Sequence, residues 1–174
     1  MADGVVAHLY EEIRSSYALG IFTSTIINAI LLLEYSVRLC LYRERLKSDP
    51  NSNWSDLEKL DLSNLIKQLN ALKIITKKEK ATLILFNDKL RNPYLHINIH
   101  KLTEGITLAN LPSMNIITGE VIELKDVDVS DKKELWFAAK KFFDEYNVQP
   151  VLEFCINWAN KLIIYVEKKE EKKR

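Results

Sequence analysis

Two of the chain's three histidines fall within one short stretch, KLRNPYLHINIH (Lys89–His100), together with Arg91, Asn92 and Pro93. An imidazole moves protons near neutral pH, and a guanidinium is a permanently charged fork that fits phosphate oxygens. Set side by side, they are parts for phosphodiester chemistry. A residue before proline is pushed out of the α region, so a helix arriving from upstream should stop near Leu90. Pro93 then suits the first position of a new helix, with Asn92 as its N-cap and His96 in its first turn. Such a helix start offers partial positive charge and free N–H donors to an anion, and Arg91 projects to the same side. The bland alternative is a helix junction in which Arg91 and His96 are satisfied by backbone carbonyls. Leu95, Ile97 and Ile99 also alternate, so Tyr94–Leu102 would serve as a strand with His96, Asn98 and His100 on one face. Leu95, Ile99, Leu102 and Ile106 suit a helix, which the proline favours.

Other residues near the stretch have weaker claims. His96 and His100, if helical, share the i, i+4 spacing of a metal pair, but only Glu104 offers a third ligand, so no metal or other cofactor is assigned. Tyr94 is placed to stack on a base, or simply to pack; Asn98 lies near enough to line a site. Upstream, Glu34 and Arg38 sit at i, i+4 in an apolar helical pattern, the spacing of an intrahelical ion pair. Trp136, Phe137, Phe142, Phe143 and Tyr146 read as core or subunit-interface residues.

Helices must position these groups. Val5–Tyr17 carries an apolar stripe, and Gly20 marks a break before a central helix from Ile21 to about Leu46. SDPNSN (Ser48–Asn53) is a loop, and Leu60–Leu72 a third helix. Thr76 with Glu79 forms a capping-box signature opening a helix from Lys77 to about Leu90. Short β-branched runs within 105–130, punctuated by Pro112 and Gly119, suggest a hairpin or irregular excursion. Asp131–Tyr146 returns to helix, and Pro150 opens a last one over Val151–Val166. The final KKEEKKR (168–174) reads as a solvated, frayed end.

The 174 residues suit one domain, and 47% hydrophobic content is enough for a core at this length. With 25 Lys+Arg against 24 Asp+Glu, bulk charge does not advertise nucleic-acid binding, and an anionic partner must be attracted locally. Cys40 and Cys155 lie far apart in apolar patterns, which fits free thiols in a reducing cytoplasm. Charge interrupts the N-terminus too early for a secretory signal, and the apolar run Ile21–Leu33 is short for a membrane span. A soluble cytoplasmic protein is expected. The Lys, Glu and Ile content with only four glycines points toward a thermophile.

The motif RNPYLH, Arg-Asn-x-x-x-His, resembles the Arg-x4-His signature of HEPN domains, all-helical modules of bacterial and archaeal defence and RNA processing. Tyr17–Leu41 resembles the long HEPN helix, with a small residue near its start and a glutamate, Glu34, in its apolar second half. Ser63–His96 is similar to the segment in which two helices lead into the motif. Together these cover about half the chain. The resemblance implies a single all-α, HEPN-like helical bundle over 1–174, with a small β-rich or irregular insertion around 106–130 that departs from a minimal HEPN bundle. It implies a metal-independent endoribonuclease acting as a homodimer, with His96 of each subunit at one cleft as base and acid, and products ending in 2′,3′-cyclic phosphate. Arg91 would stabilise the phosphorane, Asn92 fix the motif, and Glu34 orient Arg91 or His96. Such proteins serve as toxins or defence components. Some HEPN domains only bind or dimerise, acting with a partner such as a nucleotidyltransferase-type antitoxin.

Overall fold

The apolar stretch after Gly20 becomes the central helix. In the computed structural model, α2 (Phe22–Ser48) packs against both α1 (Gly4–Ala18) and α8 (Trp136–Glu171). The structure describes residues 4–108, 111–114, 118–119, 121–129 and 135–171. Ile26, Ile30, Leu33 and Leu41 of α2 are at most 1% exposed. Each such side chain contributes roughly 1.5–3 kcal/mol on leaving water, so the helix tolerates one buried carboxylate, Glu34. α2 is longer than its apolar run suggested. It meets the length and composition of a membrane span (mean hydropathy 1.4), yet 67% of that window is buried within the bundle, as in a core helix.

The turn between α1 and α2 follows from Gly20, whose φ of 69° suits a residue without Cβ. Gly20 N–H donates to Tyr17 O and Ile21 N–H to Ser16 O, the Schellman closure of a helix end. After a short helix α3 (Ser55–Glu58), Asp61 caps α4 (Leu62–Ala71) by accepting from Asn64 N–H at 2.7 Å. The expected capping box opens α5 (Lys77–Phe86): Thr76 accepts from Glu79 N–H, and the Glu79 carboxylate accepts from Thr76 N–H. Glu79 also pairs with Lys161, tying the start of α5 to α8. That contact, with the Thr76 hydrogen bonds, lowers the Glu79 pKa to about 2.

The fold is all-α, with a small β excursion where one was expected. β1 (Thr107–Leu108) pairs antiparallel with β4 (Val127–Asp128), and β2 (Leu111–Met114) pairs antiparallel with β3 (Val121–Leu124). The two pairs are nested in sequence, as in a single long hairpin.

Two expectations for the last part of the chain need correction. Asp131–Tyr146 and Val151–Val166 are not separate helices; α8 is continuous from Trp136 to Glu171 with Pro150 inside it. Pro150 and Tyr146 are both exposed, so water can take the carbonyl bond that the missing Pro150 N–H leaves open. The helix also runs through Lys168–Glu171, where a frayed end was expected; 172–174, and 131–134 at the expected helix start, lie outside the described residues.

Candidate functional site

The expected helix junction at Asn92–Pro93 is replaced by a continuous helical path. α5 runs into a π-helical turn, Asn87–Arg91, and directly on into α6 (Asn92–Leu95). Asn92 has helical φ and ψ (−64°, −50°) and does not cap; its N–H donates to Asn87 O, five residues back. Proline explains the widening. Pro93 has no N–H to give Lys89 O, and its ring would press on that carbonyl in a regular α-turn. A π-turn is the form in which a helix passes such a residue, and it often accompanies functional sites. Asn87, buried in the turn, donates from Nδ2 to Ser63 Oγ at 3.1 Å, which anchors the turn to α4.

The helix ends at the histidine. His96 lies just past α6 with φ −92° and ψ 9°, and Ile97 follows at φ 52°, a left-handed conformation strained for a β-branched residue. His96 therefore sits at a helix C-terminus, not in the first turn of a new helix, and receives no positive helix-start field. The strand alternative for Tyr94–Leu102 also fails: α7 (Ile99–Thr103) opens at Asn98, whose Oδ1 accepts from Lys101 N–H at 3.2 Å. With the helix broken at Ile97, His96 and His100 share no helical face for a metal. His100 packs edge-on to Trp136 instead.

Arg91 and Glu34 meet across 57 residues of sequence. Glu34 Oε2 accepts from Arg91 Nη2 at 2.8 Å and from Nε at 3.3 Å, and Asn92 Oδ1 accepts from Nη1 at 2.8 Å. Arg38 Nη2 lies 2.8 Å from Glu34 Oε1, so each oxygen of one buried carboxylate holds one arginine. Glu34 thus makes the intrahelical pair with Arg38 and the long-range pair with Arg91 at once. Two guanidinium charges on one carboxylate leave a local positive charge of one, which low-dielectric surroundings screen poorly.

Beside this cluster, Asp88, Asn92, Pro93, His96, Asn98 and Lys101 line a groove of about 310 Å³. The His96 imidazole is exposed and has no hydrogen-bond partner among the described residues. Arg91 adjoins the groove, its Nη1 donating to the Oδ1 of the lining residue Asn92. Asp88 was not anticipated. On one uninterrupted helix Asp88, Asn92 and His96 recur every fourth residue, a signal hidden by assuming that the helix stops at the proline.

Tyr94 does not line the groove. It is 3% exposed and turns toward α8, where its hydroxyl donates to Asp144 Oδ1 at 2.8 Å. Lys140 Nζ pairs with Asp144 Oδ2 at 2.6 Å and lies 4.4 Å over the Tyr94 ring, and Thr23 donates to the same carboxylate. Burial first, and the Asp144 carboxylate second, push the Tyr94 phenol far above its usual range, so it stays protonated. This network fixes the backbone two residues before His96.

Among the described residues no three His, Cys, Asp or Glu side chains group as a metal centre. No family model, no curated protein and no solved structure matches the chain.

Proposed function

We propose that the chain is a metal-independent endoribonuclease of the HEPN type, working as a homodimer in the cytoplasm. One observation carries the reading: Arg91 is held in place by Glu34 and Asn92 beside a groove that displays an unengaged imidazole. A guanidinium has five N–H donors, and these contacts take one on each nitrogen, which leaves one on each of Nη1 and Nη2 for phosphate oxygens. Fixing a charged group before substrate arrives is the arrangement that stabilises a developing phosphorane most effectively.

Cleavage by the ribose 2′-hydroxyl needs a base and an acid, and the motif supplies one imidazole per chain. His96 takes the 2′-OH proton as O2′ bonds to phosphorus. His96 of a second copy protonates O5′ as the P–O5′ bond breaks, giving a 2′,3′-cyclic phosphate and a free 5′-hydroxyl. Arg91 is then a catalytic residue; Glu34 and Asn92 are positioning residues, acting through it.

Asp88 in the groove and the near-balanced charge favour a second reading, a HEPN-fold module that binds a protein partner without cleaving. End-labelled RNA incubated with the protein in EDTA separates the two. Cleavage to cyclic-phosphate ends is the expected result. Intact RNA at stoichiometric protein rejects the nuclease in favour of the module.

A further inference from the structure

We propose that a second cavity, of about 460 Å³, holds the base of a nucleotide flanking the cleaved bond, and takes bases that carry an exocyclic amino group, adenine and cytosine among them, in preference to uracil. The cavity lies where α1, α2 and the segment around α3 meet, and Leu31, Tyr35, Trp54, Glu34, Arg38 and Glu58 line it. Its size is within the range of small-molecule sites. Placing it beside the scissile bond rests on the ribonuclease reading; its capacity for a base does not.

The lining divides into a stacking wall and a polar edge. Tyr35 and Trp54 stand 5.4 Å apart between ring centroids at 44°, and Tyr42 braces Trp54 edge-on at 5.4 Å. Leu31 adds an aliphatic face that is 40% exposed. Flat faces of this kind take any base by stacking. Trp54 Nε1 donates to Glu58 Oε1 at 2.8 Å, which leaves Oε2 with no donor among the described residues. An exocyclic amino group supplies that donor, and uracil has none. Arg38 offers the opposite function. Its Nη2 reaches Leu60 O only at 3.4 Å, a long bond that a base carbonyl or ring nitrogen in the cavity improves on while Glu34 keeps the guanidinium in place.

Charge argues for base over phosphate here. With Arg91 counted on the other oxygen of Glu34, the two glutamates and two arginines cancel, so the lining offers a phosphodiester no net positive charge. The phosphate belongs beside Arg91, on the other oxygen of Glu34. One carboxylate thus links the base cavity to the arginine of the motif.

The test uses free adenosine, cytidine and uridine, which carry no phosphate. In a Trp136→Phe/Trp158→Phe background Trp54 is the sole tryptophan, and its fluorescence reports stacking; calorimetric titration of the wild-type protein replaces it if that variant does not fold. Saturable quenching by adenosine and cytidine is expected, with uridine about tenfold weaker, the worth of one hydrogen bond to a charged group. Glu58→Gln turns an amide N–H₂ into the cavity and should level that preference. No saturable signal from any nucleoside, or equal affinity for all three, overturns the proposal. Nucleoside binding without RNA cleavage sinks only the nuclease; cleavage without nucleoside binding sinks only the base cavity.

Discussion

Glu34→Gln removes one charge and almost no volume, yet it should disturb both stability and cleavage. The carboxylate is 8% exposed and carries Arg91 on one oxygen and Arg38 on the other. Breaking a buried ion pair by losing one partner costs about 3–5 kcal/mol. Two features reduce that figure: the arginine side chains keep 17% and 16% exposure, and the glutamine oxygen still accepts from one of them. The glutamine N–H₂, however, faces the second guanidinium donor to donor. The expected loss is about 2–3 kcal/mol, a fall in Tm of about 5–10 °C for a chain of this size. Urea unfolding gives the free energy, and Arg91→Met with the double variant completes a cycle whose coupling should exceed about 1 kcal/mol. Cleavage should fall at least about tenfold through kcat, because Arg91 is no longer held in place. A Glu34→Gln protein within about 0.5 kcal/mol of wild type and fully active would refute the buried triad as the organiser of the motif.

Three further outcomes follow from the same geometry. Tyr94→Phe should cost about 1–2 kcal/mol by urea unfolding, since Asp144 keeps Lys140 and Thr23 but loses the phenol donor. Glu79 has a depressed pKa, so its stabilising contribution is complete above about pH 4.5 and is lost as pH falls toward about 2. Glu79→Gln should therefore flatten the pH dependence of unfolding across that window; an unchanged slope contradicts the Lys161 link. Cys40 and Cys155 are 1% exposed or less, and burial raises the Cys155 thiol pKa, so a thiol reagent should label neither until urea unfolds the chain.

The sequence made the scaffold readable because its signals there are local. Apolar periodicity located α1, α2 and α4, Gly20 their break, and Thr76 with Glu79 the start of α5 to the residue. Around proline the local rule misled twice. Asn92 was expected to cap and Pro150 to open a helix, whereas both prolines lie within helical paths: one passes through a π-turn anchored by Asn87 to Ser63, the other on an exposed face. Packing of α5–α6 and α8 against the rest of the bundle outweighs the loss of one N–H each. The Glu34–Arg91 contact was foreshadowed only by the family resemblance, since nothing in a pattern of 3.6 reports a pairing across 57 residues. The Tyr94–Asp144–Lys140 network had a partial signal in Lys140 and Asp144 at i, i+4, but its partner on α6 did not.

The proposed two-fold site is tested most directly by mixing subunits. Wild-type protein and His96→Ala protein, exchanged to equilibrium at equal amounts, form about one all-wild-type dimer in four. If both imidazoles serve one phosphodiester, RNA cleavage in EDTA per total protein falls to about a quarter of the pure wild-type value. Activity at about a half, the share of wild-type chains, would mean that each subunit cleaves alone and would contradict the composite site.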